Sequence, residues 1–87
     1  MPTYYIDTDD GDLFLVDDEG IELPGDADAR LAALRALPDM ARDRIPDGDK
    51  RTFTVRVTRS DRTLVYSAVL RLEGSMASAT ADQPAGL

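Results

Sequence analysis

The side chains that could do chemistry in this 87-residue chain are mostly carboxylates, because it has 17 Asp and Glu but no His and no Cys. Without His and Cys it cannot form a Ser-His-Asp triad, a thiol nucleophile or a zinc site of the usual ligands. Paired carboxylates could do acid–base work, as in glycosidases. A chain of this length offers no large pocket in which such groups could converge, so we expect neither an enzyme nor a cofactor.

A cluster of aspartates near the N-terminus raises the question of a calcium site. Its members are Asp7, Asp9, Asp10, Asp12, Asp17 and Asp18. An EF-hand loop needs acids at its positions 1, 3 and 5 and Gly at position 6. If Gly11 takes position 6, positions 1 and 3 fall on Ile6 and Thr8, which supply no carboxylate. Turn-forming acids explain the cluster better, and we predict no metal site.

The charge of the chain is uneven. The net charge is −7, and residues 1–28 carry ten acids and no base. A negative chain is a poor partner for nucleic-acid phosphates or for an anionic membrane, so we expect to find neither bound. The asymmetry could orient a second copy, whose basic stripe would face the acidic hairpin. The members of that candidate stripe are Arg51, Arg56, Arg59, Arg62 and Arg71. The simpler interpretation is that these charges lie on solvated turns and faces.

The N-terminal region predicts a β-hairpin. Residues 3–8 are rich in aromatic and β-branched side chains, which favour strands. The Asp10-Gly11 pair favours a two-residue turn, because both residues tolerate a positive φ. Residues 13–16 would then return with Thr8 opposite Leu13. A short extended segment follows at residues 21–24.

One amphipathic helix is predicted next, with Asp26 as its N-cap and residues 46–48 as its stop. An apolar stripe at helical spacing would face the sheet. Its members are Ala27, Leu31, Leu34, Ala41 and Ile45. Pro38 deletes a hydrogen bond inside the helix, so we expect a kink or a break there.

The second half predicts another hairpin, with strands over residues 51–58 and 63–73 and a turn at Ser60-Asp61. The predicted fold class is therefore α+β, in the order β-β-α-β-β, with a four-stranded antiparallel sheet and one helix on one face. Residues 1–73 would form a single domain. Residues 74–87 are small, polar and without a period, so we expect a flexible tail.

One helix covers only one face of such a sheet, and the opposite face would carry apolar side chains. These candidate interaction residues are Tyr5, Phe14, Val16, Val65 and Val69. A patch of this kind is typical of a contact with another protein, often a second copy. We therefore expect a non-catalytic protein-interaction module that forms a homodimer through a face or an edge of its sheet. The alternative is a regulatory, antitoxin-like protein that binds a basic partner through its acidic hairpin.

Several segments together carry a family resemblance. They are Tyr4-Tyr5-Ile6-Asp7, residues 17–24 (DDEGIELP), Met40-Ala41-Arg42-Asp43 and Pro46-Asp47-Gly48. Over about residues 3–73 the chain resembles a family of small proteins of unknown function, widespread in alpha-proteobacteria and especially rhizobia. That family usually continues the helix where this chain has Pro38. A looser similarity is to antitoxin domains of HicB type, although the Pro-Gly-Cys segment usual before their helix is here only Pro24-Gly25-Asp26. The resemblance implies a short domain without an assigned activity.

The N-terminal residues also bear on the compartment. They include neither a basic region nor an apolar core typical of a secretory signal, and no apolar run approaches the length of a membrane span. We therefore expect a cytoplasmic protein.

Overall fold

The fold combines one antiparallel sheet with one helix that packs on one of its faces. A computed structural model describes residues 1–44 and 48–77. The elements are β1 (Thr3–Asp9), β2 (Phe14–Leu15), β3 (Ile21–Glu22), α1 (Asp26–Arg44), β4 (Lys50–Arg59) and β5 (Leu64–Glu73). The predicted α+β class is confirmed. The predicted β-β-α-β-β order with four strands is wrong, because the short extended segment before the helix pairs with β1 as a fifth strand.

The sheet follows the order β2-β1-β4-β5, and β3 lies beside β2 on the same edge of β1. β2 covers the end of β1, where Thr8 pairs with Leu15, and β3 covers its beginning, where Thr3 pairs with Glu22. β5 forms the opposite edge of the sheet. The two outer edges are therefore built very differently, one from two-residue pieces and one from a single ten-residue strand.

The predicted two-residue turn after β1 is wrong. Thr8 pairs with Leu15 rather than with Leu13, so the turn is two residues longer at its far end. The turn is closed by Asp10, whose N–H donates to the carbonyl of Leu13 at 3.2 Å. Because the register shifts by two residues, each side chain of β2 keeps its predicted face.

The core lies between α1 and the middle of the sheet. Alternate residues of β4, Phe53, Val55 and Val57, are fully buried, as is Tyr4 of β1. From the helix, the buried residues are Ala29, Ala33, Leu37 and Ala41.

This buried side of the helix differs from the predicted stripe. Ala27 and Leu31 are exposed, Leu34 is half-buried and Ala41 is buried as predicted, while Ile45 lies outside the described residues. Alanines at four-residue spacing allow the helix to lie close to the large β4 side chains. Leu31 and Leu34 are displaced to one flank of the helix.

The cap of the helix differs from the prediction, and its course is not broken at Pro38. The N–H groups of Asp28 and Ala29 donate to the carbonyl of Gly25, so Gly25 occupies the cap position rather than Asp26. The helix runs through Pro38 as one element as far as Arg44. The predicted stop at residues 46–48 falls partly outside the described residues, as does the predicted tail from residue 78 onward.

The second hairpin matches its predicted strands to within one residue at their ends. Its turn includes Arg62 at a φ of 70°, and the Arg59 N–H donates to the carbonyl of Thr63 at 2.9 Å. A register shift follows, since Thr58 pairs with Leu64 but Val57 pairs with Tyr66. Val65 is thus the extra residue of a β-bulge.

Candidate interaction surface

The acidic turn after β1 is held from inside the domain. Asp10 is buried, and its Oδ1 accepts hydrogen bonds from the backbone N–H groups of Asp12 (3.0 Å) and Leu13 (2.8 Å). Its Oδ2 accepts from Arg44 Nε at 2.8 Å. The two backbone donors, with smaller help from Arg44, lower the pKa of Asp10. Arg51 Nη1 donates to the Asp10 carbonyl and to Asp12 Oδ2, so the turn is fixed to both α1 and β4.

Asp17 occupies the gap between β2 and β3. Its Oδ2 accepts the Ile6 N–H at 3.0 Å, and its Oδ1 accepts the N–H groups of Glu19 and Gly20, also at 3.0 Å. Its own N–H donates to Asp7 Oδ1 at 2.9 Å. Burial favours a higher pKa for Asp17, but the three backbone donors outweigh it and lower the pKa. The Asp17 side chain therefore replaces a partner strand where β1 has none.

A third carboxylate joins the start of α1 to the sheet. Asp26 accepts the Tyr4 hydroxyl at 2.7 Å and Arg59 Nη2 at 2.5 Å. The hydrogen bond from Tyr4, followed by that from Arg59, lowers the pKa of Asp26. The same contact with Asp26 raises the pKa of Tyr4. These groups act as structural ties.

The arginines of the predicted basic stripe lie in different environments. Arg51 and Arg59 bind carboxylates of their own chain. Arg56 lies on the other face of the sheet, between Asp7 of β1 and Ser67 of β5. The arginines of the second hairpin therefore do not share one surface.

The candidate interaction residues are also separated in the structure. Phe14 and Val69 are 57% and 60% exposed and lie in one cross-strand row on the open face of the sheet, the face that α1 leaves uncovered. Asp9 and Thr54 lie between them in that row. Three strand spacings, about 14 Å, separate the two apolar residues.

The remaining candidates fall into two groups. Tyr5 is half-buried and Val16 is exposed, and both line an open groove of about 360 Å³ beside Asp17 and Arg59. Val65 was placed on the open face by the sequence, and this placement is wrong: it packs against the core cluster. The bulge at Val65 turns its side chain to the same side as Tyr66.

The backbone groups on the outer side of β5 can be identified from the hydrogen-bond directions in the sheet. Backbone N–H and C=O groups of successive strand residues point to opposite sides. Arg59 donates toward β5, so the odd-numbered residues of β4 face β5 and the even-numbered ones face β1. The Ile6 N–H points away from β4 to Asp17, which agrees with this assignment.

The same alternation extends to β5 beyond the bulge. Odd-numbered residues of β4, such as Val55, pair with even-numbered residues of β5, such as Ala68. The even-numbered residues therefore face β4, and the odd-numbered ones point their N–H and C=O groups outward. The outward-pointing residues are Ser67, Val69, Arg71 and Glu73.

Comparison with known families gives a match that covers the helix and nearly all of the sheet. A family model for a domain of unknown function, DUF6894, matches residues 3–71. The chain belongs to the DUF6894 family. The expected family of unknown function is thus confirmed, whereas the alpha-proteobacterial source and the HicB analogy stay predictions. No curated protein and no solved structure matches this DUF6894 chain.

In this DUF6894 domain, apolar side chains lie beside the outer edge of β5 on both faces of the sheet. Leu64, Val69 and Leu70 are 49%, 60% and 39% exposed, and Leu31 on the helix is 45% exposed. Sequence reasoning allowed for a dimer through a face or an edge of the sheet, but it chose its candidate residues for the open face alone. A ten-residue strand without Pro or Lys was the available signal.

Other surfaces of the DUF6894 domain bring together groups of mixed charge. An open groove of about 480 Å³ at the start of β4 is lined by residues of both signs, among them Asp12, Arg51, Arg71 and Glu73. Within residues 1–44 and 48–77, no three acidic side chains are placed to hold a metal ion. No helix of the described chain is long and apolar enough to span a membrane.

Proposed function

We propose that this chain is a non-catalytic, cytoplasmic protein-interaction module that associates with a second copy of itself through its sheet. The observation that carries the proposal is the distribution of large apolar side chains. In the described residues five are buried, namely Tyr4, Leu37, Phe53, Val55 and Val57, whereas eleven are exposed. A small domain with so few buried side chains gains stability by burying more of them against a partner.

The charge states of the tied groups support a non-catalytic role. A general acid at neutral pH needs a carboxyl of raised pKa, and a tyrosine base needs a lowered one. Here the hydrogen bonds to Asp10, Asp17 and Asp26 lower their pKa values, and Asp26 raises that of Tyr4. These shifts do not suit Asp10, Asp17 or Asp26 as a general acid, or Tyr4 as a general base.

The alternative partner is a basic protein bound by the acidic hairpin. Several N-terminal acids already accept hydrogen bonds within the chain, which reduces what they can offer to another protein. These acids are Asp7, Asp9, Asp10, Asp12, Asp17 and Asp26. For this reason self-association is the proposal.

The test is the solution mass of the purified chain by light scattering, over a tenfold range of concentration and at low and high salt. We expect the mass of two chains of 9.5 kDa at the higher concentrations. The dimer should persist at high salt, because apolar burial does not weaken with ionic strength. A single-chain mass throughout would contradict self-association, and co-purification of a basic protein released by salt would favour the alternative.

A further inference from the structure

We propose that the second copy pairs with the outer edge of β5, so that two sheets join into one continuous antiparallel sheet. The inference rests on the proposed self-association and names the surface that carries it. The occupant is the β5 strand of an identical chain, related by a twofold axis perpendicular to the sheet. Such an axis makes the two strands antiparallel and places both helices on the same face.

The backbone provides the first argument. The hydrogen bonds of Arg59 and Ile6 place the outward backbone groups of β5 at its odd-numbered residues, and within residues 1–44 and 48–77 no strand pairs with them. These residues are Ser67, Val69, Arg71 and Glu73. A strand edge of this length is a template for another strand. At the opposite edge, Asp17 and the short strands β2 and β3 already occupy the corresponding groups of β1.

The position of the helix provides the second argument. α1 packs on β4 and β5 to a similar extent, so its axis lies close to the line between these strands. With strands 4.8 Å apart, pairing through β5 would set the two helix axes about 10 Å apart. Packed helices lie 8–10 Å apart, so the helices of the two copies would contact each other without shifting on their sheets.

The apolar flank of α1 fixes the centre of the pairing. Arg30 lies over the Tyr66 ring at 5.8 Å, which aligns the helix with β5 at that level. The helix runs opposite to β4, since Asp26 binds Arg59 at one end and Arg44 binds the turn after β1 at the other. It therefore runs in the same direction as β5.

The rise per residue along the helix and along the strand then places Leu34 at the same height as Ala68. Four helix residues beyond Arg30 and two strand residues beyond Tyr66 both correspond to about 6 Å. Pairing centred on Ala68 therefore brings Leu34 of one copy against Leu34 of the other. The exposed parts of Leu31 and Leu70 lie beside this contact.

The charges of β5 and of the turn before it agree with the same register. Pairing centred on Ala68 places Glu73 of each copy close to Arg62 of the other, at both ends of the joined strands. It also keeps the two copies of Arg71 apart, each lying close to the partner's bulge at Val65. Opposite charges near one another across strands are favourable, and like charges directly opposite are not.

The experiment compares two substitutions at one position by light scattering. Val69→Pro removes an outward N–H and so blocks pairing between copies, whereas Val69→Thr keeps that N–H and the branched side chain. Phe14→Ser is the control for a contact through the open face. Arg71→Pro, with Arg71→Thr as its match, repeats the test at a second outward N–H, and the circular dichroism of each variant shows whether it folds.

We expect Val69→Pro and Arg71→Pro to be folded monomers, with the dimer dissociation constant raised at least 100-fold. Val69→Thr, Arg71→Thr and Phe14→Ser should change it less than tenfold. A folded proline variant that dimerises like the native chain would overturn the β5 pairing but leave self-association standing, and so would loss of the dimer in Phe14→Ser. A native chain that is monomeric throughout would overturn both proposals.

Discussion

At one edge of the sheet β1 is covered in pieces, by β2 at its end and by β3 at its beginning, with the Asp17 carboxylate accepting the Ile6 N–H between them. At the other edge β5 extends for ten residues, and its outward backbone groups have no partner among the described residues. Natural sheets cover or charge edges that are not meant to pair. The contrast is the reason why the proposed pairing uses β5 and not β1.

Substitution by proline at adjacent residues of β5 gives the largest expected effect and tests which way each N–H points. The Leu70 N–H faces β4, so Leu70→Pro should lower the free energy of unfolding by at least about 2 kcal/mol. The Val69 N–H faces outward, so Val69→Pro should cost less than about 1 kcal/mol. Urea unfolding at micromolar concentration measures both. Equal losses, or a larger loss for Val69→Pro, would show that the assigned alternation is wrong.

The covered edge depends on close packing at Gly20, which has a φ of +77°. A Cβ at this position would lie 2.8 Å from Thr3 Cγ2 and 3.0 Å from Tyr5 Cε1. Gly20→Ala should therefore destabilise the domain by about 1–3 kcal/mol. Gly74→Ala, just beyond β5, is the matched control, because its Cβ would have no neighbour closer than 3.7 Å. Similar melting temperatures for the two variants would contradict this account of the covered edge.

The smallest expected effect is the response of the covered edge to acid. Hydrogen bonds lower the pKa of Asp17 in the folded state, so this carboxylate stabilises the fold above its unfolded pKa of about 3.9. That contribution is lost as the pH falls through the lower, folded pKa. Asp17→Asn should therefore lose less stability than the native chain between about pH 5 and pH 2. Urea titrations across this range give the comparison, and parallel curves would rule out Asp17 as a contributor.

The sequence was sufficient to predict the elements in which apolar residues recur at a clear spacing. Alternation in β4 predicted the face that carries Phe53, Val55 and Val57, and all three are fully buried. Proline, glycine and the charge pattern predicted the start of the helix to within one or two residues, and its end lies at the limit of the described residues. Alternation of apolar and polar residues also predicted both strands of the second hairpin.

What the sequence did not predict depends on contacts between distant residues. Helical spacing predicted that Leu31 and Leu34 would face the core, but the side of the helix that packs on the sheet carries Ala29 and Ala33. Around the first hairpin the Asp10 and Asp17 carboxylates accept backbone N–H groups, and no strand pattern encodes these contacts. The bulge at Val65 likewise has no local signature, and it moved one candidate interaction residue to the core side.

The most direct test of the β5 pairing is amide hydrogen exchange, followed residue by residue at low and high chain concentration. The account predicts that the Val69 N–H exchanges freely in dilute solution and becomes protected, by at least tenfold, as the dimer forms. The Ile6 N–H, already bound by Asp17, should be protected at both concentrations. A Val69 N–H that exchanges equally fast at both concentrations, while the measured mass doubles, would contradict the account.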